Sequence, residues 1–211
     1  MTYQLRNIYW RSLIAQEVLA EPEILASVRL CGVREIVAFA LGAFVGDIQR
    51  FAHPKKLVKY VGLNPAFDDS GESEWRGGIG GYGHKLLRCL LIEGTQASLR
   101  GGKSPLARWG GKLLASKGSV NLAVPASARK LTVAVWYLMM GRWSALEEIA
   151  ARLRGKVSKM ISTVGPQGLQ SLGKTRQTCR EKICQRLKTG RAYVPDPNAK
   201  YVPQPAASPA C

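Results

Sequence analysis

The chain has 211 residues, 31 Lys and Arg against 14 Asp and Glu, a net charge of +17 and 46% hydrophobic residues. Enough of it is apolar to build a core, which excludes a disordered basic tail, and the charge makes a polyanion the default partner. Nucleic acid is favoured over a membrane surface, because no long amphipathic stretch pairs a basic face with a bulky apolar one and the longest apolar run, residues 131–140, is about half a bilayer span.

Residues 3–20 read as a first helix. They contain no signal-peptide pattern, and the five scattered cysteines lack a CxxC pair, so reduced thiols and a cytoplasmic location are expected. Pro22 starts a second short helix that breaks at residues 30–34 and resumes through Phe44. Two short helices about Gly32 form a helix-hairpin-helix candidate, in which Gly32 takes positive φ and Arg34 adds a phosphate-binding charge. A plain αα-corner fits the same residues.

Pro54 opens a helix that Gly62 closes, with Lys55 and Lys56 facing solvent. Residues 62–88 then run GLNPAFDDSGESEWRGGIGGYGHKLLR, where Asp68, Asp69, Glu72 and Glu74 surround Ser70. The residues around Ser70 fit a polar turn, and they also fit a hydroxyl that Asp68 or Asp69 orients or that a magnesium ion activates. The following Gly78-Ile79-Gly80-Gly81-Tyr82-Gly83 matches GxGxxG, but a dinucleotide site is rejected: no strand is expected before the glycines and no acid lies about twenty residues beyond them. A glycine-rich arm with Trp75, Arg76, Tyr82, His84 and Lys85 suits close approach of a sugar-phosphate chain with aromatics stacking on bases. A flexible loop is the competing reading.

Helices are expected at residues 85–100, with Leu86, Leu87, Leu90 and Leu91 as the buried stripe, from Ser104-Pro105 to about Gly118, and at 126–140. Trp109, Trp136 and Trp143 read as core. Ser144 and Glu147 are spaced as a capping box for a further helix. From Arg152 to Arg191 there are eleven basic residues and one acid, with helical character returning only near 174–188 before a proline-rich, disordered end. His53 and His84 have no zinc-ligand spacing, and no metal site is expected in this chain. The fold class is all-α: a helix-hairpin-helix-containing body at 22–155, a long N-terminal helix within 1–21, and a basic tail at 156–211.

The order of motifs carries more than any one of them. Gly32-Val33 opening an apolar helix, Val45-Gly46-Asp47-Ile48 with Arg50-Phe51, residues 57–65 as LVKYVGLNP, Asp69-Ser70-Gly71, Gly77-Gly78-Ile79 with Leu87-Arg88, and Ala128-Arg129-Lys130-Leu131 follow one another. Together they resemble the C-terminal domain of the IS-one-ten type insertion-sequence transposases, also called the IS-one-sixteen or IS-nine-hundred-two group. The resemblance implies a DNA-binding part of a transposase with Ser70 as the catalytic nucleophile, Asp68 and Asp69 shaping its site, and a phosphoserine link to DNA. It implies DNA contacts at Gly32, Arg34, Arg76, Gly78, Tyr82, His84, Lys85 and Arg88. It further implies an N-terminal RuvC-like nuclease half whose four acids bind magnesium, a guide RNA, and a homo-oligomer. No stretch here could be that half, and residues 3–20 would be the end of the helix joining the two. The alternatives are a non-catalytic nucleic-acid-binding remnant of a truncated transposase and an RNA-binding assembly protein.

Overall fold

Local punctuation sets most helix boundaries. The computed structural model describes residues 3–70, 73–79, 82–142, 144, 146 and 150–178, with residues 3–6, 65–70, 73–79 and 150 described by backbone alone. Helix α1 (Tyr3–Ala20) stops ahead of Pro22, which occupies the first turn of α2 (Pro22–Ser27). Helix α3 (Glu35–Val45) leads through a 3₁₀ turn (Ile48–Arg50), where Asp47 accepts from the Gln49 N–H at 2.8 Å, into α4 (Pro54–Val61). Gly62 ends α4 in the left-handed conformation. His84 caps α5 (Lys85–Arg100), and the Ser104 hydroxyl accepts from the Ala107 N–H at 3.0 Å to cap α6 (Pro105–Lys117), which ends at Gly118.

Three helical expectations need correction. Helix α7 (Val120–Met139) begins before residue 126, because Pro125 lies close enough to its start that the missing N–H leaves only the exposed Asn121 carbonyl without its usual donor. Helix α8 (Ala150–Ser171) occupies a stretch expected to be mostly non-helical, with a kink at Gly165 and Pro166. Its buried Val157, Met160, Ile161 and Val164 recur at helical spacing among the basic residues that obscured them. On α5, Leu87 and Leu91 are buried but Leu86 is 53% exposed, so the stripe is narrower than expected. Ser144 accepts from the Leu146 N–H at 3.3 Å, whereas Glu147, Trp143 and residues beyond 178 lie outside the described residues.

The described residues bear out the all-α class with one addition, an antiparallel hairpin of β1 (Pro65–Ser70) and β2 (Ser73–Ile79). A strand therefore does precede the glycine run, and Gly77 and Gly78 lie within it. That removes one ground for rejecting a dinucleotide site, but a lone two-stranded hairpin is no βαβ unit, so the rejection stands.

Helix α7 is central, packing against α2, α4, α5 and α6, while α1 packs against α3 and α8. Trp136 on α7 is fully buried, and its indole N–H donates to the Phe51 carbonyl at 2.8 Å. Ala15, Val18 and Leu19 carry α1 into the same core. The turn between α2 and α3 is held from α8: the Lys156 ammonium donates to the carbonyls of Val28, Leu30 and Val33 at 3.1, 2.7 and 3.0 Å. No described helix is long and apolar enough to cross a membrane.

Gly32 has φ +84°, and a Cβ there would lie 2.6 Å from the Gly94 carbonyl oxygen on α5. Its immediate task is thus close backbone packing. Gly32→Ala should lower stability by about 2 kcal/mol or more, from both strain and clash. Gly111→Ala, in open space within α6, should raise it by up to about 1 kcal/mol. Urea unfolding of the two variants checks both signs.

Candidate nucleic-acid interface

The hairpin leaves the body at Gly62 and returns at Gly83. The two backbones meet there: both glycines have positive φ, a Cβ on Gly83 would lie 2.6 Å from the Gly62 Cα, and a Cβ on Gly62 would run into the Tyr82 carbonyl oxygen. Side chains are therefore excluded from the foot of the arm. Hydrogen bonds then lock it, with the His84 N–H donating to the Tyr60 carbonyl at 2.9 Å and Arg88 Nη1 donating to the carbonyls of Tyr82 at 2.8 Å and Gly62 at 3.4 Å.

Beside the foot is an open cleft of about 780 Å³ whose lining includes Arg50, Lys56, Lys59, Tyr60, Tyr82 and His84. The Arg50 guanidinium lies 4.7 Å from the Phe51 ring centroid and 4.9 Å from that of Tyr60, and it donates to the Phe44 carbonyl at 3.1 Å. Tyr60 is fixed by its own hydroxyl, which donates to the same carbonyl at 2.8 Å. The His84 ring packs at a 38° tilt against Phe44 with centroids 4.1 Å apart, and its Nδ1 accepts from the Leu87 N–H at 3.3 Å. With Nδ1 accepting, Nε2 is left as the ring's donor. Lys56 and Lys59 are exposed and make no ion pair among the described residues, and Tyr82 is 87% exposed. The cleft thus offers cations and aromatic surfaces on a braced frame, a combination suited to a phosphate backbone with adjacent bases.

The structure gathers some of the expected residues and separates others. Tyr82 and His84 line the cleft, and exposed Lys85 follows at the start of α5. Arg88 is turned to the foot of the arm, where it holds carbonyls. Arg76 and Gly78 lie on β2, with Arg76 opposite Phe67. Asp68, Asp69 and Ser70 pair in register with Trp75, Glu74 and Ser73, so Ser70 stands at the distal end of the ladder, about 17 Å along the strand from Pro65. Gly32 and Arg34 belong to the α2–α3 turn, where Arg34 Nε lies 3.4 Å from Glu35 Oε2. Among the described residues no three His, Cys, Asp or Glu side chains gather to hold a metal; Asp68, Asp69 and Glu74 are described by backbone alone.

Sequence reasoning did not assign Arg50, Lys56, Lys59 or Tyr60 to the site. A signal was present: basic and aromatic residues alternate between Asp47 and Asp68 with no acid among them.

Residues 24–108, which contain the cleft and the arm, match the model of the Transposase IS116/IS110/IS902 family. The match covers less than half of the chain and falls on the segment whose motifs resemble that family. The chain is 35% identical over 111 residues, 51% of its length, to the transposase for insertion sequence element IS1111A of Coxiella burnetii, of which that covers 30%. It is 30% identical over 111 residues, again 51% of its length, to a probable family 20 transposase of Pseudomonas aeruginosa, covering 32% of that protein. To a putative transposase of Sinorhizobium fredii it is 41% identical over 64 residues, 30% of this chain and 16% of that one. The chain thus spans less than a third of the length of these relatives. No solved structure matches it.

Arg88→Ala removes two carbonyl contacts at the foot of the arm and should cost about 1–3 kcal/mol locally. The expected readout is faster hydrogen exchange at the His84 amide, with little change at the amides of α7.

Proposed function

We propose that this chain supplies the DNA-holding, serine-bearing part of a transposase, with the cleft gripping backbone phosphates and Ser70 on the arm acting as nucleophile. The observation that carries the reading is the braced basic cleft from which the arm bearing Ser70 departs, inside the segment that matches the transposase family. Lys56, Lys59 and Arg50 would neutralise phosphates, Tyr82 and Tyr60 would offer faces for unpaired bases, and His84 would donate from Nε2. Lys85, Arg76 and the backbone at Gly78 would extend the contact along the arm, and Arg34 and Gly32 would add one at the α2–α3 turn.

In the chemical step the Ser70 hydroxyl oxygen attacks a backbone phosphorus. An Oγ–P bond forms, a phosphodiester P–O bond breaks, the hydroxyl proton passes to Asp68 or Asp69 and the departing DNA oxygen takes up a proton. A DNA hydroxyl attacking the same phosphorus later reverses the exchange and frees Ser70, so strands rejoin without a nucleotide cofactor. The magnesium-binding nuclease-like half, the guide RNA and the multimer that the family resemblance implies belong to this proposal as partners.

Ser70→Ala should abolish the covalent protein–DNA adduct on denaturing gels, in a complex supplied with the nuclease-like half, while duplex binding is unchanged. An undiminished adduct would sink the nucleophile assignment. Lys56→Gln combined with Lys59→Gln should weaken binding and flatten the plot of log affinity against log salt by about 2 units, near 0.9 per lost phosphate contact. An unchanged slope would remove the cleft from the interface. If binding is intact and no adduct ever forms, a non-catalytic binding module takes over.

A further inference from the structure

Between Glu93 and Glu147 the chain has eight Lys and Arg and no Asp or Glu. The end of α5, α6 and α7 fill most of that interval. Arg100, Lys103, Arg108, Lys112, Arg129 and Lys130 are all exposed, and none forms an ion pair among the described residues. Arg108 and Lys112 are four apart on one face of α6, a spacing at which like charges repel.

The charges are also held in fixed relation. Lys130 Nζ on α7 lies 4.7 Å from the ring centroid of Trp109 on α6, which sets the Arg129-Lys130 pair beside α6. Helix α6 sits tightly on its neighbours, since a Cβ on Gly110 would come 2.5 Å from Leu99 Cδ2 of α5 and 2.9 Å from Ser127 Oγ of α7. None of these residues lines the cleft.

We infer that α6 and α7 form a second nucleic-acid surface, one that takes the phosphodiester backbone of a duplex independently of the cleft. Helix α6 has 13 residues and is about 20 Å long, a length over which a duplex presents roughly twelve phosphates. Two packed helices that carry exposed cations and no acid of their own gain counterion-release energy without reading sequence. An anionic membrane suits it less well, because the large apolar side chains exposed there are Leu114, Val120 and Leu122, too few for an interfacial helix face. The inference goes beyond the cleft and shares with it only the nucleic-acid partner.

The test measures binding of the chain to a fluorescent mixed-sequence duplex DNA, and to the same duplex as RNA, across a salt series. In the triple variant Lys103→Gln, Arg108→Gln, Lys112→Gln the log–log slope should fall in magnitude by between about 2 and 3 units, with an unchanged unfolding midpoint. Arg108→Lys should keep the slope. An equally charged control on α8 and beyond, Arg154→Gln, Lys159→Gln, Arg176→Gln, should leave the slope nearly as it was; an equal fall in the control would reduce the effect to net charge and overturn the inference. An unchanged slope in the α6 variant with both duplexes overturns it, as does loss of binding to phosphatidylserine vesicles alone. A response in the α6 variant with none in Lys56→Gln, Lys59→Gln would keep this surface and remove the cleft reading, and the converse would do the reverse.

Discussion

The buried N–H of Trp136 needs an acceptor, and it takes the Phe51 carbonyl 85 positions away in sequence. That bond joins the middle of the core to the edge of the cleft. Phe51 follows the 3₁₀ turn, so fixing its carbonyl also fixes Arg50, whose guanidinium spans the Phe51 and Tyr60 rings. Tyr60 and Arg50 both donate to the Phe44 carbonyl at the end of α3, and Phe44 in turn carries the His84 ring. Core packing is thereby converted into cleft geometry through a short series of aromatic rings and backbone carbonyls.

The charge layout gives this geometry a direction. Cations gather at the foot of the arm and on α6 and α7, whereas Asp68, Asp69 and Glu74 pair along its distal half. On the proposed reading, a polyanion would be drawn to the basic body before it meets the acidic end of the arm. Placing the acids on an arm away from the cleft would, on the same reading, let the chain combine attraction for phosphate with groups that can take a proton.

Helix boundaries were legible wherever a stop or start signal was local. Pro22, Pro54 with Gly62, and Ser104-Pro105 with Gly118 each act within one turn, and the structure uses them as read. The hairpin was not legible, because PAFDDS and SEWRGGI are rich in acids and glycine and poor in β-branched residues; pairing and the Gly62–Gly83 contact impose the strands. Helix α8 was hidden by its glycines, proline and basic residues, which diluted the apolar spacing of Val157, Met160, Ile161 and Val164. At the site, Tyr82, His84 and Lys85 came from contiguous sequence, but the cleft also needs Arg50, Lys56 and Lys59, which reach it only through tertiary packing. The family motifs pointed to Ser70 and the acids without giving their distance from the cleft.

The Lys156 ammonium sits among three carbonyls much as a bound cation would, and it is supplied by α8, well outside the family match at 24–108. The segment that matches the family model is therefore smaller than the unit that packs together. A fragment trimmed to the matched residues would lose this ammonium together with α7, and the α2–α3 turn would lose three of the hydrogen bonds that hold it. Domain swaps or grafts between relatives should accordingly be cut beyond α8, where the boundary follows the packing.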